Sequence, residues 1–184
     1  MSLPLAHQLL TAQFRLRAPR ESDIPFIFSA SRFAGFNDGM LWEPPESMDV
    51  VEDSLRRSIQ AWEKGEGYNF TVDDRKSDRP LARASIRRTA ESDVWDIGFW
   101  THPEHQGRGV MTEAVAAILR LGFEELGATR IEACHATWNG ASKRVLEKNG
   151  FQFVRHIEQG FQKRGVWVAE NMLAIDRAQW EKAG

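Results

Sequence analysis

The chain has 184 residues, 42% hydrophobic and 27% charged, which suits one globular domain over 1–184 and excludes disordered, collagen-like and coiled-coil classes. Its 24 basic and 26 acidic residues leave a net charge of −2, so no nucleic-acid partner is expected. The single Cys excludes a disulfide framework and a Cys-based zinc site, and no apolar run approaches the ~18 residues a membrane helix needs, so no membrane partner is expected either.

The chain opens without a basic region followed by an apolar stretch and a small-residue cleavage site, which makes the cytoplasm the expected location. Leu10–Arg17 alternates loosely and predicts a first strand. Ser22 and Asp23 with Pro25 close behind start a short helix over Ile24–Arg32. Phe36–Met48 holds Gly39, Pro44 and Pro45 and reads as a loop. Asp49–Lys64 carries Val51, Leu55, Ile59 and Trp62 at helical spacing and stops at Gly65. Three strands follow at Tyr68–Asp73, Leu81–Arg88 and Val94–Trp100. Gly109–Leu126 has a broad apolar stripe and predicts an amphipathic helix closed by Gly127. Arg130–His135 is a strand, Gly140–Asn149 a short helix, and Phe151–His156 with Val166–Ile175 a closing strand pair. Consecutive strands imply antiparallel hairpins, and the strand–helix–strand unit over 94–135 implies a parallel pair. The expected class is α/β, with a mixed, mostly antiparallel sheet flanked by helices.

The stretch Asp96–Ala114 carries the chemistry. A strand ends near Trp100, and Gln106-Gly107-Arg108-Gly109 leads straight into a helix. Such a turn aims several unpaired N–H groups and the positive end of the helix dipole at one point. Glycines let a phosphate approach the backbone, and Arg108 adds a charged contact. This pattern is a pyrophosphate cradle. A dinucleotide fingerprint needs a third glycine where Thr112 stands, and the Lys-Ser/Thr ending of a P-loop is absent.

Gln106–Met111 resembles the acetyl-CoA signature Q/R-x-x-G-x-G/A of the GCN5-related N-acetyltransferases, with Met111 as a departure. Gly107–Ala114 is similar to the G-x-G-hydrophobic-A/M-T-E-A version of their RimJ/RimL-like ribosomal-protein branch. Ile97, Gly98, Phe99, Trp100 and Pro103 resemble that branch's I-G-Y/F-W-x-x-P strand. Asn139, Ser142 and Leu146–Phe151 resemble its N-x-x-S-x-x-x-L-E-K-x-G-F helix.

The resemblance implies a GNAT fold whose parallel strand pair opens the acetyl-CoA site, and transfer of acetyl to an amine within a ternary complex. Phe99, Trp100 and Thr101 would pair with the pantetheine through their backbones, and Gln106, Gly107, Arg108, Gly109, Val110 and Met111 would hold the pyrophosphate. Asn139 would bond the pantetheine amide, and Ser142 would meet the sulfur where other members use a Tyr. Asp96 is the candidate base, with His135 or a water chain as rivals. Trp42 and Glu43, with Asp38, lie in the acceptor region, where a carboxylate suits a cationic acceptor. Trp138 is expected to narrow the acceptor slot.

Plainer roles are expected elsewhere. Cys134 inside its strand is expected to be core, and His102 and His105 surface residues without metal-ligand spacing; no metal is expected. Tyr68, the only Tyr, lies well upstream of the signature. The acceptor implied is a protein N-terminal α-amine, a polyamine or an antibiotic amine, and a non-catalytic acetyl-CoA-binding regulator is the rival class. Seven Trp residues are compatible with a homodimer interface and equally with core packing.

Overall fold

A computed structural model describes residues 2–183. Its strands are β1 (Gln8–Leu10), β2 (Phe14–Arg17), β3 (Gly67–Asp74), β4 (Pro80–Arg88), β5 (Val94–Thr101), β6 (Arg130–Ala136), β7 (Gln152–Lys163) and β8 (Val166–Asp176). Its helices are α1 (Ile24–Ala30), α2 (Met48–Lys64), α3 (Val110–Arg120), α4 (Gly140–Lys148) and α5 (Arg177–Ala183). The sheet runs β1-β2-β3-β4-β5-β6-β8-β7 and is antiparallel at every neighbour except β5–β6. The expected mixed α/β architecture is present, flanked by helices. Among the described residues no helix is long and apolar enough to cross a membrane.

Four elements depart from the sequence expectation. The first strand is a hairpin, because Thr11 bonds Phe14 through both its backbone and its hydroxyl and turns the chain. The long helix leaves α-geometry at Arg120 and closes through a π-turn over Leu121–Glu125. Packing explains the change, since a Cβ on Gly122 would stand 2.6 Å from Ile131 Cδ1. The glycine lets the helix settle directly on the sheet. β7 extends to Lys163 through two register shifts, which its polar, exposed sequence hides. Finally, α5 packs Trp180 against Phe123.

Register sorts the central strands into two faces. Tyr68, Ile86 and Ile97 align across β3, β4 and β5, as do Phe70, Ala84 and Phe99. These residues join the six buried side chains of α3 in the core. Each fully buried aliphatic or aromatic side chain contributes about 1.5–3 kcal/mol. The intervening residues Arg83, Ser85, Arg87, Asp96 and Gly98 occupy the opposite, polar face.

A buried ion network ties that face to the N-terminal segment. Arg17 reaches both oxygens of Asp23 at 2.8 Å and both oxygens of Asp73 at 2.7 and 3.1 Å. Burial opposes ionisation of Asp23, but hydrogen bonds from Arg17, the Arg20 backbone and Thr71 outweigh it. Its carboxyl is held below the ordinary carboxylate range.

Candidate active site

The glycine turn has the geometry its sequence predicts. Gly107 and Gly109 both hold φ of +75°, a left-handed conformation that favours glycine. Gly109 is the N-cap of α3, and no atom lies within 4 Å of a Cβ built on either glycine. The cradle is open to a phosphate. Gln106 and Arg108 are exposed beside it, whereas the side chains of Val110 and Met111 are buried in the core. Those last two offer a ligand only their backbone.

The parallel pair opens as expected. β5 and β6 share the register pairs Val94–Arg130, Trp95–Ile131 and Asp96–Glu132 only. Beyond them the facing backbone edges of Ile97–Thr101 and Ala133–Ala136 pair with no strand. Unpaired main-chain groups of this kind are a template for strand-like bonding by an extended ligand. A cavity of about 1210 Å³ joins this gap to the glycine turn and to the Trp42 loop. Phe99, Trp100, Thr101, Asn139 and Ser142 all line it.

Asp96 stands where the strands begin to part. Its carboxyl is 25% exposed and pairs with Arg87, the residue opposite it on β4. Burial pushes the carboxyl above the ordinary range; the Arg87 charge and hydrogen bond pull the other way without cancelling it, and the Glu132 charge adds to the rise. Glu170 lines the same cavity, and burial and the Asp96 charge raise it too.

Asn139 caps α4 by accepting the Ser142 backbone N–H at 3.1 Å. This bond fixes Ser142 at the mouth of the gap, where its hydroxyl has no partner among the described residues. His135 is buried, bonds the Ala136 carbonyl through Nδ1 at 2.8 Å, and leaves Nε2 without a partner among the described residues.

Two expectations are corrected. Cys134 is exposed to the cavity rather than packed in the core, because alternation along β6 sends Ile131 and Ala133 to the core and Cys134 to the other side. Burial among protein atoms, with the charges of Glu170, Asp96 and Glu132, pushes its thiol up to about 12. His102 is buried rather than superficial, between the rings of Phe26 and Phe33, and bonds Ser29 through Nε2. Burial lowers its pKa and favours the neutral ring. His105 is half-buried and lines the cavity. Tyr68 is buried in the core beside Trp62 and Trp95.

The Trp42 loop is fastened from a distance. Lys163, at the end of β7, is buried and donates to the carbonyls of Met40 and Trp42 at 3.1 and 2.8 Å. Glu43 is paired with Lys163 and Arg164, and Asp38 stands 4.0 Å from Arg164. Their charges are therefore answered within the protein. Sequence reasoning passed over Arg83 and Arg57, which also line the cavity. The available signal was the alternation Arg83-Ser85-Arg87 between apolar Ala82, Ala84 and Ile86. Among the described residues no cluster of His, Cys, Asp and Glu has the makings of a metal site.

A family model described as "Acetyltransferase (GNAT) domain" matches residues 13–152. The chain is 35% identical over 115 residues to "Probable N-acetyltransferase YjcK" of Bacillus subtilis, covering 61% of this chain and 64% of that relative. It is 35% identical over 174 residues to "Uncharacterized N-acetyltransferase YoaA" of the same organism, covering 91% and 95%. The solved structure of the RimL ribosomal L7/L12 alpha-N-protein acetyltransferase with coenzyme A superposes with a TM-score of 0.84. That likeness has 19% identity, over 92% of this chain and 98% of the other. Spermidine N-acetyltransferase from Vibrio cholerae superposes with a TM-score of 0.81 at 21% identity, over 93% and 99%. At such identities the structures speak for a shared fold. The glycine cradle, the opened parallel pair and the family match agree, and the chain belongs to the GNAT acetyltransferase family.

Proposed function

We propose that residues 1–184 form a single acetyltransferase domain that moves acetyl from acetyl-CoA to a primary amine, by direct attack, and that the amine is a protein N-terminal α-amine. The observation that carries the reading is the opened β5–β6 pair sharing one cavity with the glycine turn. The exposed Leu41, Trp42 and Trp138 around the acceptor side support a protein acceptor, because they offer apolar contact to a peptide. The cytoplasm is part of the same reading.

Bound acetyl-CoA supplies an activated carbonyl carbon, to which the amine nitrogen bonds as the carbon–sulfur bond breaks. The turn at Gly107–Gly109, with Gln106, Arg108 and the backbones of Val110 and Met111, holds the pyrophosphate. The Phe99–Thr101 backbone and the free amide end of Asn139 hold the pantetheine. Asp96 accepts the proton that the acceptor ammonium must lose, and its raised carboxyl suits that task better than an exposed one. A backbone N–H of Phe99 or Trp100 donates to the carbonyl oxygen as charge builds there. The Ser142 hydroxyl donates to the departing sulfur.

A small amine, such as a polyamine or an antibiotic, is the second reading. It is favoured by the approach of Trp138 to Gly39, which narrows the slot. Thiol release from acetyl-CoA, measured against N-terminal peptides, their N-blocked forms and spermidine, tests the proposal. Release with free-amine peptides alone is expected. A thermal shift with acetyl-CoA but no release with any amine would instead make the chain a binding protein.

A further inference from the structure

Resting on the acetyltransferase reading, we infer that the acceptor carries an anionic group close to its amine, and that Arg83 binds that group. Arg83 projects from β4 onto the polar face, between Thr71 on β3 and Trp100 on β5. It lines the cavity and has no hydrogen-bond or ion-pair partner among the described residues. The carboxylate whose charge reaches it, Asp23, is already held by Arg17, Thr71 and the Arg20 backbone. Burial lowers the guanidinium pKa to about 10, which leaves it charged at neutral pH and short of a counterion.

Most of the other cavity cations have separate explanations. Arg87 pairs with Asp96. Arg108 lies in the glycine turn, and Arg144 and Lys148 lie on α4, the helix whose first turn carries Ser142. Arg57, contributed by α2, adds a second cation without a partner among the described residues. The cavity acids lie elsewhere, with Glu43 paired to Lys163 and Arg164 and Asp96 set beside the reaction gap.

The groove is therefore bipolar. Asp96 and Glu170 mark an end that attracts an ammonium, and Arg83 marks an end that attracts an anion. Between them lie Ser85, whose hydroxyl donates to the Gly98 carbonyl at 3.2 Å, and Gly98 itself. Arg83 and Arg87 are four residues apart on one strand, and at ~3.4 Å per residue their backbones are ~14 Å apart. About four residues of extended peptide cover that backbone distance, and the reach of the long Arg83 side chain can shorten the gap that a ligand must bridge. The ligand chemistry is an amine with a nearby carboxylate, whether an acidic N-terminal peptide or a small acidic amino compound. A polycation fits the groove poorly, and the paired Glu43 no longer argues for one.

The test compares acetylation of Ser-Asp-, Ser-Asn- and Ser-Lys-initiated peptides, free glutamate and spermidine by wild type, Arg83→Gln, Arg83→Lys and Arg57→Gln. In wild type the acidic peptide or glutamate is expected to lead the neutral peptide by roughly tenfold or more in kcat/KM, with spermidine last. Which of the two leads separates a protein source from a small-molecule source. Arg83→Gln should erase the preference without changing the KM for acetyl-CoA, and Arg83→Lys should restore part of it. Transfer with equal rates, or with spermidine preferred, would overturn the inference and leave the acetyltransferase reading standing. So would a preference that survives Arg83→Gln. Absence of transfer to every amine would overturn both. The wild-type comparison needs no variant to fold.

Discussion

A Cβ placed on Gly39 would stand 3.0 Å from Cη2 of Trp138, so the Trp42 loop and the turn before α4 meet at that point. Trp138 is 60% exposed, and its removal should change stability by less than about 0.5 kcal/mol. Trp138→Ala should widen the slot and raise the KM for the preferred acceptor severalfold. The KM for acetyl-CoA should stay constant. Steady-state kinetics with both substrates varied checks this, and an effect on acetyl-CoA alone would move Trp138 out of the acceptor wall.

Asp96→Asn separates activity from stability. Loss of a positioned base should lower kcat by roughly 10²–10⁴. Burial raises the Asp96 carboxyl above its ordinary 3.8, so the folded state disfavours the charged form. Its stabilising contribution is complete below 3.8 and is lost as pH rises through the folded value. The neutral Asn escapes that loss, and Arg87 is 54% exposed and stays hydrated without its partner. The variant should therefore melt no lower than wild type at pH 7. Wild-type kcat/KM should rise as pH climbs through the raised carboxyl value. Retention of full kcat in Asp96→Asn would hand the role to His135 or water.

Gly109→Ala tests the cradle. An L-residue at φ of +75° costs about 1–2 kcal/mol, a drop of a few degrees in melting temperature for a chain of this length. The added methyl also enters the open space above the start of α3. Acetyl-CoA at 100 times its wild-type Kd stabilises wild type by about 2.7 kcal/mol, and that gain should shrink markedly in the variant. An unchanged ligand shift in differential scanning fluorimetry would place the pyrophosphate elsewhere.

Arg17→Met should be the most damaging single change on the polar face. It leaves Asp23 buried without its cation and Asp73 with Arg15 alone, at a cost of about 3–5 kcal/mol. The Asp23 carboxyl is depressed in the native protein, so its contribution is complete above the ordinary 3.8 and fades as pH falls through the lower folded value. The gap between variant and wild type should narrow on acidification. Urea unfolding at pH 7 and below pH 4 measures both, and equal midpoints at pH 7 would refute the argument.

Motifs with local physical requirements were legible in the chain itself. Gly107 and Gly109 need a left-handed backbone, and Asn139 and Gly150 bracket a helix, so their places follow from neighbours in sequence. The three-strand run and the parallel crossover were legible from periodicity. What escaped depends on distant partners. Gly122 yields a π-turn only because Ile131 lies beneath it. His102 is buried only because α1 brings Phe26 over it. Lys163 fastens a loop more than a hundred residues earlier. Cys134 needed a decision between the two faces of β6 that its neighbours' hydropathy did not force. Arg83 carried a readable alternation, but its lack of a partner exists only once Asp23 has been taken by Arg17.

The short register shared by β5 and β6 has a mechanical consequence. The sheet behaves as two wings, β1–β5 and β6–β8, riveted by three residue pairs. A ligand that bonds both open edges would act as the missing rungs of the ladder and stiffen the joint. Those amide protons of 97–101 and 133–136 that face the gap would then report occupancy directly, exchanging with solvent more slowly once it is bridged.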